Sequence, residues 1–250
     1  MSIFSESVIS TSVPRGQVGV FWLGQAGFLF KTDSGKLIAV DPYLSDCCLR
    51  YAGFKRLLPR LFQPYDLTFD ALVATHAHYD HLDIDALPML LDNGRTVFYG
   101  AMDTKAECEK LKITENVNFM VPGDIFHIAD GTITATACDH GTLSPEAVGL
   151  LIEIGKRRIY IMGDTCYRPD MLTDPLYEGL DLLILPINGA FGNLNENEAA
   201  EVAKILNPKL TVPCHFWNFA EHGGDPAKFA QNMKDGPNYK IMRPGEGFVL

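Results

Sequence analysis

No run of consecutive apolar residues in this 250-residue chain exceeds strand length, far short of the roughly 18 residues a membrane-spanning helix requires. Cations are scarce too. Lys and Arg number 21 against 31 Asp and Glu, a net charge of −10, and that balance argues against a nucleic-acid partner, which needs clustered basic groups to release counterions. The six cysteines, at 47, 48, 108, 138, 166 and 214, contain no CxxC pair, so neither a disulfide framework nor a zinc ribbon is expected, and free packed thiols are. There is no GxSxG elbow and hence no motif for a serine acyl-enzyme. Met1–Val13 is polar and Ser-rich with no basic stretch ahead of an apolar one. It does not read as a secretory signal, and the cytoplasm is the expected compartment. With no internal repeat, low-complexity tract or linker, residues 1–250 are read as a single domain.

Ordinary globular composition, 47% hydrophobic and 21% charged, leaves patterning to set the fold class. Strands are expected at Val18–Leu23, Gly27–Lys31 and Leu37–Asp41, joined by turn residues as a meander. An irregular stretch, Pro42–Pro64, holds a loop or short helix. Strand Ala71–Thr75 then runs into His76-Ala-His-Tyr-Asp-His, with helical character over Leu82–Leu91. A strand at Thr96–Tyr99 and a helix opened by Thr104 and Glu107, at capping-box spacing, follow. Strands at Asp124–Ile128, Thr132–Ala137, Val148–Ile154 and Arg158–Met162 form a second meander across Asp130-Gly131 and Gly155-Lys156. Strand Leu182–Pro186, helix Glu196–Leu206 capped by Asn195 and Glu198, strand Leu210–Pro213, a helix near Pro226 and a strand at Gly247–Leu250 complete the order. Each half runs from a meander into βα units. The implied class is α/β, with two mixed sheets stacked and helices outside.

Four groups that bind divalent metals fall within six residues: His76, His78, Asp80 and His81. Imidazole nitrogens and carboxylate oxygens suit Zn²⁺ or Mn²⁺ alike. Adjacent side chains cannot all converge on one ion, so two ions are expected, with further ligands downstream. The hexad lies between a strand end and a helix start, where α/β sheets place their sites.

With Asp41 at a strand end, the hexad after Thr75, His140 in Cys-Asp-His-Gly, Asp164 in Met-Gly-Asp-Thr and His215 in Val-Pro-Cys-His, the chain resembles the metallo-β-lactamase superfamily. Trp22-Leu-Gly, Ala52-Gly-Phe-Lys55-Arg56 and His215-Phe-Trp narrow the resemblance to the branch typified by L-ascorbate-6-phosphate lactonase. The resemblance implies a four-layer αββα sandwich. It also implies that His76, His78 and His140 bind one metal, that Asp80, His81 and His215 bind a second, and that Asp164 bridges them. Asp80 and Asp164 are then the catalytic carboxylates, and Asp41 a partner for the free ring N–H of a ligand histidine. Cys138, Cys166 and Cys214, each within two residues of a ligand, are expected to pack near the site.

The expected activity is metal-dependent hydrolysis by a hydroxide held between the ions, opening a phosphorylated sugar lactone or similar ester. A two-metal phosphodiesterase is the rival, since the same clamp supports attack at phosphorus; a non-catalytic metal-binding protein ranks below both. A di-iron oxygen-reducing protein on this fold is expected to carry a carboxylate where His78 stands. The segment Cys47–Gln63 contains Arg50, Lys55, Arg56 and Arg60 and no acid, which makes Lys55 and Arg56, with Arg50, candidates for gripping a small anionic substrate. Asn188 and His222, in Gly-containing loops, are further substrate-binding candidates, and His127, within a strand, is expected to be structural. A homo-oligomer stays open.

Overall fold

The structure, a computed structural model, describes residues 1–250 and consists of two mixed β-sheets packed face to face. The first contains β1 (Val18–Gly24), β2 (Gly27–Thr32), β3 (Leu37–Val40), β4 (Ala71–Ala74), β5 (Val97–Ala101), β6 (Val117–Met120) and the last strand, β13 (Gly247–Val249). Their order is β13-β1-β2-β3-β4-β5-β6, antiparallel through the meander and parallel from β3 to β6. The second contains β7 (Ile125–Ile128), β8 (Gly131–Ala137), β9 (Val148–Ile154), β10 (Arg157–Ile161), β11 (Leu182–Pro186) and β12 (Leu210–Cys214) in the order β12-β11-β10-β9-β8-β7. It repeats the logic, antiparallel from β7 to β10 and parallel from β10 to β12.

Strand periodicity explains the layers. Side chains alternate across a strand, so Val18, Val20 and Trp22 of β1 join the inner core with Ile133, Leu150 and Ile152 of the facing sheet. Phe21 and Leu23 point the other way into an outer core. There they meet helices α1 (Ile3–Ser10), α2 (Cys47–Ala52), α3 (Leu87–Leu91) and α4 (Thr104–Lys110) through Phe4, Cys47, Leu87 and Cys108. On the far side α5 (Glu196–Leu206) and α6 (Pro226–Asn232) bury Ala199, Ala203 and Phe229 against the second sheet. The result is the four-layer αββα arrangement.

Several boundaries differ from expectation. The expected helix over Leu82–Leu91 is confined to α3, because Asp83 first holds a turn: its carboxylate accepts from the backbone N–H groups of Leu44, Ser45, Asp85 and Ala86 at 2.6–3.2 Å. Pro88, which has no N–H, then sits in the first turn of the helix, where proline is tolerated. The Thr104–Glu107 capping box does not form. Thr104 Oγ1 donates to the Ala101 carbonyl (2.7 Å), and Glu107 pairs with Lys110 (2.7 Å). By contrast Asn195 and Glu198 form the reciprocal cap of α5 (2.9–3.1 Å). Helix α1, capped by Ser2, and strand β6 are additions to the expected set.

Candidate metal centre

Loops leaving the strand ends carry the site. Between β4 and α3 the backbone N–H groups of His81 and Leu82 both bond to the His78 carbonyl (2.9 and 2.7 Å), a tight turn that directs His76, His78, Asp80 and His81 to one place. His140 follows β8, Asp164 follows β10 and His215 follows β12. Two of these loop residues have left-handed backbone, Asp41 at φ 47° and His215 at φ 63°. That conformation is uncommon outside glycine, with Asp and His among the side chains that adopt it more readily.

The donor atoms fall into two groups. His76 Nε2 and His78 Nδ1 are 2.9 Å apart, His78 Nδ1 and His140 Nε2 3.4 Å, and His140 Nε2 and Asp164 Oδ2 3.9 Å. In the second group His215 Nε2 lies 3.3 Å from His81 Nε2, 3.3 Å from Asp80 Oδ2 and 3.2 Å from Asp164 Oδ2. His81 Nε2 is 3.4 Å from Asp164 Oδ1 and 3.7 Å from Asp80 Oδ2. A tetrahedral ion with bonds of about 2.1 Å has its ligand atoms roughly 3.4 Å apart, so the spacing of both groups fits a divalent ion. Asp164 Oδ1 is buried without a hydrogen-bond partner, as is His140 Nδ1.

Electrostatics point the same way. Burial alone would raise Asp80 and Asp164, yet facing imidazoles of His81 and His215 hold both carboxyls well below the usual carboxylate range. Reciprocally, burial disfavours charge on His81 and His215, but Asp164 with Asp80 outweighs it, lifting His81 well above the ordinary value and His215 to about 9. His76 is pushed down by burial and by neighbouring imidazoles. The buried carboxylates thus call for positive charge between the rings, which a divalent ion supplies once the nitrogens are deprotonated.

Asp41 accepts from His81 Nδ1 (2.7 Å), from Thr75 Oγ1 (2.6 Å) and from the Thr75 backbone N–H (2.8 Å), which leaves His81 Nε2 to face the site. Cys138 Sγ donates to the Asp164 carbonyl (3.0 Å), and Cys214 is buried beside His215. Cys166 is half-buried. His127 lies exposed on β7, an edge strand of the second sheet.

A cavity of about 420 Å³ opens over these groups. Its floor is His78, Asp80, His140, Asp164, His215 and His222; its walls include Cys48, Tyr51, Phe54, Tyr79, Leu143 and Phe191, with Glu107 from α4. Of the four substrate-binding candidates it reaches only His222. Lys55 is exposed and does not line the cavity. Arg56 stacks over the Tyr43 ring at 4.2 Å and donates to the Tyr43 carbonyl (2.5 Å). Arg50 pairs with Asp85, and Asn188 is buried with its amide on the Ala190 carbonyl (3.3 Å). The segment itself lines the cavity through Cys48, Tyr51 and Phe54, but its arginines are held elsewhere, Arg50 by Asp85 and Arg56 by the buried Tyr43.

Sequence reasoning missed Gln25, whose amide nitrogen is 2.9 Å from Asp80 Oδ2 and 2.9 Å from His222 Nδ1. A lone glutamine in a turn carries no signal. Nor did it find the aromatic wall, whose members are scattered over about 140 positions.

A model of the β-lactamase superfamily domain matches residues 37–216, the span holding every candidate ligand named above. The chain belongs to the metallo-β-lactamase superfamily. It is 29% identical to a UPF0173 metal-dependent hydrolase of Polynucleobacter asymbioticus, over 93% of this chain and 86% of that one. Its fold is similar to Igni18, a metallo hydrolase from Ignicoccus hospitalis (TM-score 0.77, 22% identity, 94% and 98% of the two chains). It is also similar to an isothiocyanate hydrolase from Delia radicum gut bacteria (TM-score 0.74, 21% identity, 92% and 98%). Within this superfamily architecture, no helix is long and apolar enough to cross a membrane.

Proposed function

We propose that this protein is a metal-dependent hydrolase with two divalent ions, Zn²⁺ or Mn²⁺, that opens a lactone or similar carboxylic ester of a small, uncharged, largely apolar molecule. One observation carries the substrate class: no Lys or Arg lines the cavity, and Tyr51, Leu143 and Phe191 stay 60%, 52% and 46% exposed at its mouth. Apolar surface held open beside a polar floor is what an apolar substrate group would cover. When bound, the ions supply a water of lowered pKa and an electrophile for a carbonyl oxygen. His76, His78, His140 and Asp164 would hold one ion and Asp80, His81 and His215 the other, with Asp164 between them; the aromatic walls would orient the acyl group and exclude water.

The phosphate half of the ascorbate-phosphate-lactonase resemblance finds no cationic side chain here, and the only charge on the walls is the Glu107 carboxylate, already paired with Lys110. A phosphodiester would meet the ions at its phosphoryl group, and only its flanking groups would face the apolar walls.

The protein stripped of metal and reloaded with Zn²⁺ or Mn²⁺ should hydrolyse aryl esters and alkyl-substituted lactones at least tenfold faster than a phosphorylated sugar lactone or bis-nitrophenyl phosphate. An aryl isothiocyanate belongs in the panel as another neutral electrophile. His78→Ala should abolish turnover with the fold retained. Cleavage confined to the phosphorylated members would sink the reading.

A further inference from the structure

Gln25 sits in the turn between β1 and β2 with left-handed backbone, φ 52°. Its carbonyl accepts from the Trp22 indole N–H (3.0 Å) and from the His215 backbone N–H (2.9 Å), so the turn is tied to the end of β12. From there its side-chain nitrogen lies 2.9 Å from Asp80 Oδ2, 2.9 Å from His222 Nδ1 and 3.2 Å from His215 Nε2. A primary amide has two N–H groups, and Asp80 and His222 take them, with both ring nitrogens of His215 packed against the same amide nitrogen at 3.2–3.3 Å. The amide oxygen is buried without a partner, and so is His222 Nε2. The His222 ring lies parallel to that of His215, 5.1 Å between centroids and 4° between planes. Asp80, His215 and His222 each offer a ligand atom within 4.8 Å of the others.

A buried carboxylate and two imidazoles close enough to share one ion, set around an amide whose oxygen is idle, form a seat that a cation could take in place of the amide N–H groups. We propose that Gln25 and His222 form an outer half of the second metal position, sharing Asp80 and His215 with the inner half made by His81 and Asp164. Without an ion, the Gln25 N–H groups hold Asp80 and His222. With an ion beside Asp80, N–H would face a cation and be repelled, so the amide turns to present Oε1 and frees His222 Nδ1 as a further ligand atom. The inference rests on the two-metal reading of the site but not on the identity of the substrate.

The test is metal binding. Stripped wild type, Gln25→Ala, Gln25→Glu and His222→Ala are titrated with Co²⁺, read by visible absorption, equivalents bound per chain and competition with a chelator. Wild type should take two ions. Gln25→Ala and His222→Ala should keep the first and hold the second about 10–100-fold more weakly, the range seen when groups supporting a metal are removed. Gln25→Glu, with a carboxylate oxygen at the same reach, should restore or exceed wild-type affinity. Wild-type affinity for the second ion in both truncations overturns the inference, as does a Gln25→Glu protein as weak as Gln25→Ala, which would signal a merely structural turn. If a truncation fails to fold, Gln25→Glu and the shape-conserving His222→Gln are read in its place. A wild type that takes up one ion overturns the two-metal reading with it, whereas two ions indifferent to these variants overturn this inference alone.

Discussion

His81 has two ring nitrogens with separate duties, and Asp41 assigns them. Accepting from Nδ1 at 2.7 Å, the carboxylate fixes which nitrogen is protonated and leaves Nε2 for an ion. Asp41→Asn puts an amide where three donors converge. It should weaken metal binding about 10–100-fold, measured by competition with a chelator; unchanged affinity would show that His81 is oriented by packing alone. At this scale the sequence was most legible, since residue type at tight spacing is itself the chemical signal. His76, His78, Asp80 and His81 could be picked out without coordinates. Gln25 could not, because its amide matters only through Asp80, 55 positions away.

Among the elements, those with strong local signals match expectation closely. Leu182–Pro186 and Glu196–Leu206 keep the boundaries read from apolar runs and from the Asn195 cap. Helix α1 escaped because its sequence, IFSESVIS, is rich in serine, a weak helix former; what holds it is Phe4 and Val8 buried one turn apart against the first sheet. Asp181 joins three strands where the second sheet turns parallel. It accepts from the Arg158 backbone N–H (2.9 Å), Lys209 Nζ (2.8 Å) and Arg157 Nη1 (3.4 Å). Burial would raise its carboxyl, but Lys209 and the other donors hold it below the ordinary value. A folded-state value below that of the unfolded chain, near 3.9, stabilises the fold above that value and ceases to as pH falls through the folded one. Asp181→Asn should therefore lower stability by about 1 kcal/mol near pH 7, a Tm change of roughly 2–4 °C for a chain this long. The gap should close as pH falls through the folded-state value. Melting curves across pH decide it, and a gap that persists in acid would assign the loss to shape rather than charge.

For the molecule as a whole, the site is a liability until filled. Asp41, Asp80 and Asp164 are buried together with His76, His81, His140, His215 and His222, and such groups are costly to bury without compensating charge or hydrogen bonds. An ion that binds only the folded chain stabilises it by about 2.7 kcal/mol per site at a hundredfold excess over Kd, roughly 5–10 °C in Tm here. Calorimetry with saturating Zn²⁺ and after chelation should show that difference, and coincident transitions would mean that the centre is held by the protein alone.

The sequence by itself determined the order of strands and turns, the passage of each half from meander to βα units, and the identity of the candidate ligands. The first two are written in local period and turn chemistry, and the hexad in residue type, whereas His140, Asp164 and His215 were implied by the resemblance to the superfamily. Only the tertiary structure decided what faces those ligands. The cavity wall is assembled from Tyr51, Phe54, Glu107, Leu143 and Phe191, contributed by separate loops and helices with no shared periodicity. The arginines expected to hold an anion are drawn to other partners, Arg50 to Asp85 and Arg56 to Tyr43. A side chain's partner is set by distance in space, and composition along the chain carries no record of it.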